Sequence, residues 1–312
     1  RILAWEWAVR NADRRWYISE FVWDTWEKIR RKGSERLPVV SQMPRGKCDI
    51  HKRKGFLFIG RFVPNKGIRL LLDAYHRVSP DPDIWPLTLV GDGPLRDEVS
   101  QLISDKLIKG VILTGFVSES ERHRYTKNAK WMVTPPHTNE DLGLTPLEAR
   151  SVGVPCIATN DGGIPETAGK HALFCKRGCV KSLANRLQQA VDMCEAEYEQ
   201  KAMATKEGLE DYVRPLDEYA KNTVKERDIL INKLRNCGYQ VLDSKNNSIH
   251  FHDSSNNQKA ITIFDKHKVS YKLGTSASTP LIVPGDDRND WIRISVGQGI
   301  LNTAYIQELL EL

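Results

Sequence analysis

The sequence predicts an α/β protein: a Rossmann-like parallel sheet covered by helices, followed by a smaller α+β domain. Two observations predict the first part. From Gly55 to Met193, short apolar runs alternate with segments of helical spacing, and repeated strand–helix units of this size build parallel sheets with helices on both faces. The runs are also apolar throughout, as in strands buried on both sides. A third observation predicts the second part. Beyond about residue 205 the strand-like segments alternate apolar and polar residues, the pattern of a sheet with one wet face.

The elements follow in order. "RRWYIS" reads as a strand and "EFVWDTWEKIRRKG" as a helix ending at Gly33, too little to form a domain. "FLFIG" (56–60) is a buried strand closed by glycine, and "GIRLLLDAYHRV" (67–78) carries apolar residues at helical spacing. "PLTLVGDG", "PLRDEVSQLI" and "GVILTGF" continue as strand, helix, strand. "SESERHRYTKNA" opens on Ser118 with Glu121 three residues on, a capping box. "KWMVTPP" and "VPCIAT" are further strands before the helix "VKSLANRLQQAVDM". In the tail, a long charged helix ends at Gly238. The strands "YQVLD", "SIHFH", "KVSYKL" and "DWIRISVG" follow, with the helix "NNQKAITIFDKH" among them and "NTAYIQELLEL" last. "DSSNN" and "PGDDRND" read as polar loops.

Composition narrows the function. The 312 residues are 40% hydrophobic and 28% charged, as in an ordinary globular protein, and no apolar run is long enough for a membrane helix. The net charge of +6 is concentrated in residues 1–54, which hold 14 Lys/Arg against 7 Asp/Glu. Such a segment suits a nucleic acid or an anionic membrane, or else it is a solvated linker surface. No aromatic-and-basic motif accompanies it, so no nucleic-acid partner is expected. The cysteines Cys48, Cys156, Cys175, Cys179, Cys194 and Cys237 form no C-x-x-C pair, which favours a reducing, cytoplasmic setting and no structural zinc. The chain opens on Arg1 and reads as part of a longer protein.

The chemistry concentrates in "EDLGLTPLEARSVGVPCIATNDGGIPE", residues 140–166. Gly143-Leu144-Thr145-Pro146 reads as a helix start with Pro146 at the first helical position, where its missing N–H costs nothing. The free N–H groups and positive dipole end of such a helix suit a phosphate. Glu140 precedes the turn and Glu148 lies about one turn inside. Carboxylates beside a phosphate suit sugar hydroxyls, whose hydrogen bonds they accept strongly. In "GRFVPNKG", Gly60 ends a strand and Arg61 and Lys66 supply cations for a diphosphate, or are surface charge. "GDGPLR" lacks the third glycine of a dinucleotide fingerprint. "DPD" (81–83) sits in a helix–strand loop and reads as a proline turn, so no metal site is expected.

Six elements in order, "FLFIGRFVPNKG", "LTLVGDGP", "VILTGFV", "EDLGLTPLEA", "GVPCIAT" and "GGIPE", resemble the donor-binding, C-terminal half of a retaining GT-B glycosyltransferase of family 4. The resemblance covers about residues 50–200 and includes the E-x7-E motif. It implies that Arg61 and Lys66 grip the diphosphate of a UDP- or GDP-sugar. Glu140 would meet the donor sugar and Glu148 the ribose. Gly143, Leu144 and Thr145 would contact phosphate, and Val117 would cradle the base. Asp141 and Leu142 depart from the family's usual residues and leave sugar specificity open. The implied reaction is metal-independent transfer with retention to a glycan or lipid-linked acceptor hydroxyl, in the cytoplasm or at the inner membrane face with peripheral membrane contact. Residues 1–45 would then be the end of the family's N-terminal domain plus a linker, and 46–205 the donor domain. A chain with no more than this would bind donor and transfer poorly.

Residues 206–312 resemble the small C-terminal domain of a histidinol-phosphate-type aminotransferase, through "KERDILINKLRNCGYQVLDSKNNSIHF", "HKVSYKL" and "DWIRISVGQGILNTAYIQELLE". Arg293 and Asn247 match carboxylate-binding positions, with Asn246, Ser248 and Lys272 departing from the pattern. The cofactor-binding large domain has no counterpart, so pyridoxal phosphate is not expected; the tail then reads as a structural or homodimerising module. Two alternatives to the transferase stay open: a non-catalytic nucleotide-sugar-binding scaffold, or an aminotransferase remnant.

Overall fold

The computed structural model describes residues 9, 11–12, 14–27, 33–44, 46, 49–138, 140–253, 255–273, 291–297 and 299–312. Cys48 and the "PGDDRND" loop lie outside the described residues. The chain divides into two compact units, Arg1–Arg214 and Pro215–Leu312, a break later than residue 205.

The first unit opens on strand β1 (Arg15–Tyr17), helix α1 (Glu20–Trp26), and the short strands β2 (Ser34–Arg36) and β3 (Val39–Ser41). β1 and β2 pair in parallel. The helix is shorter than its sequence pattern predicts, because Glu27 is extended and turns inward. Its side chain, only 1% exposed, is taken up by Arg15 and by the Tyr17 hydroxyl at 2.9 Å.

The strand–helix series then runs β4 (Lys54–Ile59), α2 (Ile68–Val78), β5 (Leu87–Val90), α3 (Arg96–Asp105), β6 (Val111–Gly115), α4 (Glu119–Asn128), β7 (Ala129–Thr134), α5 (Leu144–Ser151), β8 (Cys156–Thr159), α6 (Ile164–Ala168), β9 (Leu173–Cys175), α7 (Val180–Asp192) and α8 (Glu195–Ala204). The predicted Ser118–Glu121 capping box opens α4. The unit closes on β10 (Val213–Pro215), which pairs with β3.

The six strands form one parallel sheet in the order β6-β5-β4-β7-β8-β9. Both faces of the central strands β4, β7 and β8 are buried, which is why they read as largely apolar runs, whereas the edge strand β6 leaves Ile112 exposed. On one face Phe56, Phe58, Trp131 and Val133 pack against Ile68, Leu71, Leu72, Leu183 and Leu187 of α2 and α7. On the other, Leu57, Met132, Cys156 and Ala158 meet Ala149 of α5 and Ile164 and Ala168 of α6. Cys156 is a core residue, and burial pushes its thiol up to about 12. Asp81 and Asp83 form a turn, with the Asp83 N–H donating to Asp81 Oδ1 at 2.9 Å.

The second unit comprises α9 (Leu216–Asn236), β11 (Gln240–Val241), β12 (Ser248–His252), α10 (Asn257–Lys266), β13 (Tyr271–Leu273), β14 (Ile292–Ser295) and α11 (Ala304–Leu310). Its four strands order as β11-β12-β14-β13, antiparallel throughout. Ile249, Phe251, Ile292 and Ile294 turn one face onto Leu230, Leu234, Phe264 and Ile306 of the helices. On β14 this is the alternation visible in the sequence, whereas β12 also buries Ser248 and His250 on its other face.

Candidate active site

β4 and β7 are neighbours, yet the chain goes on from β4 to β5 on one side and from β7 to β8 on the other. At such a reversal the loops part and leave a crevice beyond the carboxyl ends of the strands. One cavity opens there, and a second lies beside it over the carboxyl ends of β4, β5 and β6. The first, of about 340 Å³, is lined by Ile59, Gly60, Lys66, Thr134, Glu140 and the turn Gly143–Thr145. The other, of about 380 Å³, shares Ile59 and Gly60 and adds Arg61, Phe116, Val117 and Arg122.

Lys66 ends a 3-10 turn, Pro64–Lys66, that follows β4. The turn is tied to the segment after β7, because the His137 N–H donates to the Asn65 carbonyl at 2.8 Å. Its ammonium reaches both oxygens of Glu140, at 2.8 and 2.9 Å. Arg61 is exposed and makes no ion pair among the described residues.

The turn before α5 depends on glycine. Gly143 has φ +89°, and a Cβ there would sit 2.6 Å from Ile164 Cδ1. Pro146 is the third residue of α5 rather than the first. It still lies within the first four positions, whose N–H groups have no intrahelical acceptor, so it costs the helix no bond. The free N–H groups of Leu144 and Thr145 belong to residues lining the first cavity.

Glu148, one turn into α5, is 2% exposed. Its Oε1 accepts from Arg122 Nη1 at 2.5 Å, and Oε2 has no hydrogen-bond partner. Burial holds this carboxyl above the usual carboxylate range, and Arg122 pulls it back down. Arg122 was not singled out by sequence reasoning. The signal available was its position in the first turn of a helix that starts just beyond the carboxyl end of a strand.

The tail residues lie in the other unit. Arg293 stands opposite His250 on β12 and Lys272 on β13. Burial first, and then the Arg293 charge, push the His250 imidazole below its usual value. Asn247 is exposed, and its carbonyl accepts from the Val296 N–H at 2.6 Å. Among the described residues, the His/Cys/Asp/Glu group close enough to share a metal ion is His51, Glu195 and Glu199, at the amino end of β4 and away from both cavities. There Lys130 Nζ already lies 2.8 Å from Glu195.

Residues 45–208 match the family described as glycosyl transferases group 1. The chain belongs to that family. It is 29% identical over 194 residues to a putative teichuronic acid biosynthesis glycosyltransferase, TuaC, of Bacillus subtilis, covering 58% of this chain and 47% of that one. It is 32% identical over 137 residues to a GDP-mannose-dependent α-(1-6)-phosphatidylinositol monomannoside mannosyltransferase of Mycobacterium tuberculosis, covering 42% and 36%. This chain therefore spans less than half the length of each of these relatives. Its fold is that of the Anabaena HepE structure solved with UDP, at a TM-score of 0.56 and 18% identity over 65% of this chain and 60% of that one. The family match ends at residue 208, before the second unit begins.

Proposed function

We propose that the chain binds a nucleoside-diphosphate sugar at the carboxyl edge of its six-stranded sheet and serves transfer of that sugar to an acceptor hydroxyl with retention. The observation that carries this reading is the convergence, around two adjoining cavities, of Arg61, the Lys66–Glu140 pair, the amino end of α5 and the Arg122–Glu148 pair.

In this reading the diphosphate lies against the Gly143–Thr145 backbone, with Arg61 and Lys66 supplying positive charge. The sugar meets Glu140 in the first cavity. The ribose hydroxyls donate to Glu148, whose Oε2 is unpartnered, and the base rests by Val117 in the second cavity. As the bond from the anomeric carbon to the phosphate oxygen breaks, negative charge develops on the leaving nucleoside diphosphate. Fixed cations and N–H dipoles stabilise that charge without reorganising. The acceptor oxygen bonds to the same face of the anomeric carbon, and its proton goes to the departing phosphate oxygen. No metal is assigned a role.

Family names support a nucleotide-sugar donor but differ in base: the mycobacterial relative is named for GDP-mannose, and HepE was solved with UDP. We read the second unit as a module outside the transfer chemistry, since the family match ends at residue 208, before that unit begins. Titration calorimetry of the whole chain with UDP, GDP, UDP-glucose and GDP-mannose tests the donor site. One-to-one binding of at least one nucleotide is expected, and heat from none of them would overturn the reading.

A further inference from the structure

The loop that carries Glu140 is held by three successive backbone carbonyls. The Glu140 carbonyl accepts from the Gly163 N–H at 2.7 Å, that of Asp141 from Ser19 Oγ at 2.5 Å, and that of Leu142 from Thr167 Oγ1 at 2.9 Å. Gly163 and Thr167 stand at the start of α6 and within it, close in sequence to the loop. Ser19 does not: it comes from 122 residues upstream and is fully buried.

The Ser19 hydroxyl is used twice. It accepts the Val22 N–H at 3.1 Å as the N-cap of α1, and it gives its one proton to Asp141. Glu166 on α6 reaches back to the same helix. Its Oε2 accepts the Glu20 N–H at 2.8 Å and its Oε1 the Phe21 N–H at 2.7 Å. α1 and α6 are thereby joined at the point where the Glu140 loop runs, and the loop is fixed to both.

We propose that Ser19, braced by Glu166, is a positioning residue for the Glu140 carboxylate. The inference rests on the reading of Glu140 as the group that meets the donor sugar. If the Asp141 carbonyl is released, the adjoining Glu140 loses its fixed approach to Lys66 and to the first cavity. The α5 turn and the Arg122–Glu148 pair keep their own supports, namely the Thr167 hydroxyl on the Leu142 carbonyl and the helix α4. Loss of Ser19 therefore separates recognition of the sugar from recognition of the nucleotide, which a general loss of stability does not.

The test uses the whole chain as wild type, Ser19→Ala and Ser19→Thr, with UDP, GDP, UDP-glucose and GDP-mannose as probes in calorimetry. Hydrogen exchange of the Gly163 amide, which donates to the Glu140 carbonyl, reads the loop alongside. For whichever nucleotide sugar binds, Ser19→Ala is expected to weaken it about tenfold while its nucleoside diphosphate changes less than about twofold. Ser19→Thr, which keeps the hydroxyl, restores sugar binding. Exchange of the Gly163 amide rises in Ser19→Ala alone. Equal losses for sugar and nucleotide, no loss, or unchanged exchange would each overturn the proposal. If wild type binds no nucleotide, the donor site itself fails and Gly163 exchange alone decides whether Ser19 positions the loop. Should Ser19→Ala not fold, Glu166→Gln is held to the same selectivity, since it leaves one acceptor oxygen for two N–H groups.

Discussion

Lys66 holds both oxygens of Glu140, its Nζ 2.8 Å from one and 2.9 Å from the other. The two residues follow different strands of the sheet and are separated by 74 positions in the chain. Their side chains are partly exposed, 35% for Lys66 and 19% for Glu140, so solvent screens the pair and its net contribution to stability is small. Its consequence is geometric: the cation and the carboxylate meet the first cavity as one preset unit.

Removing each partner has a different effect. Glu140→Gln is expected to weaken nucleotide-sugar binding by about tenfold, within the range for a lost charged hydrogen bond, and to leave nucleoside diphosphate binding unchanged or tighter, because a negative charge beside phosphate is gone. Lys66→Ala should weaken both. Calorimetry on the two variants checks this; parallel losses in both ligands for Glu140→Gln would contradict its assignment to the sugar.

Acid should release the ribonucleotide earlier than an exposed glutamate would allow. Burial raises the Glu148 carboxyl pKa, and in the proposed binding mode only the ionised form accepts both ribose hydroxyls. Affinity is therefore full above that raised pKa and falls as pH drops through it. Arg122→Leu removes the opposing charge, so the fall should begin at still higher pH. A 2′,3′-dideoxynucleoside diphosphate, with no hydroxyls to offer, should show neither effect. Affinity against pH for the two nucleotides measures the difference.

Gly163→Ala should disturb the same loop sterically. An added Cβ would lie 2.3 Å from the Asp141 carbonyl oxygen, so the backbone has to move. A loss of about 1–3 kcal/mol, the usual cost of forcing atoms into a packed site, is expected in urea unfolding of the variant.

Arg150 gives the largest predicted stability effect. It is 1% exposed and donates to the carbonyls of Thr205, Thr167 and Glu207 at 2.8, 2.8 and 2.6 Å. Arg150→Met keeps the bulk but leaves several buried carbonyls unpaired, each costing about 1–3 kcal/mol. The variant is expected to unfold at markedly lower temperature or not to accumulate folded; an unchanged melting temperature would show those carbonyls to be hydrated.

Much of this fold was legible because its strands are buried on both faces. "FLFIG", "LTLV" and "KWMVT" are mostly apolar, with Thr88, Lys130 and Thr134 the exceptions, and the helices between them have room to show their period. α6 and β9 were not legible: five residues of "IPETA" and three of "LFC" are too short to show either period. The end of α1 was misread because Glu27 is drawn inward by Arg15, a tertiary contact with no local signature. In the site, Gly143 and the two glutamates stood out through turn chemistry and spacing. Arg122, Ser19 and the Lys66–Glu140 pair did not, because each acts through a partner 26 to 122 residues away.

The most direct test is a crystal structure of the chain soaked with UDP or GDP. The diphosphate is expected within hydrogen-bonding distance of the Leu144 and Thr145 N–H groups and of Arg61, with the ribose hydroxyls on Glu148. A nucleotide bound away from the carboxyl edge of the sheet, or with its phosphates turned from α5, would contradict the donor site described.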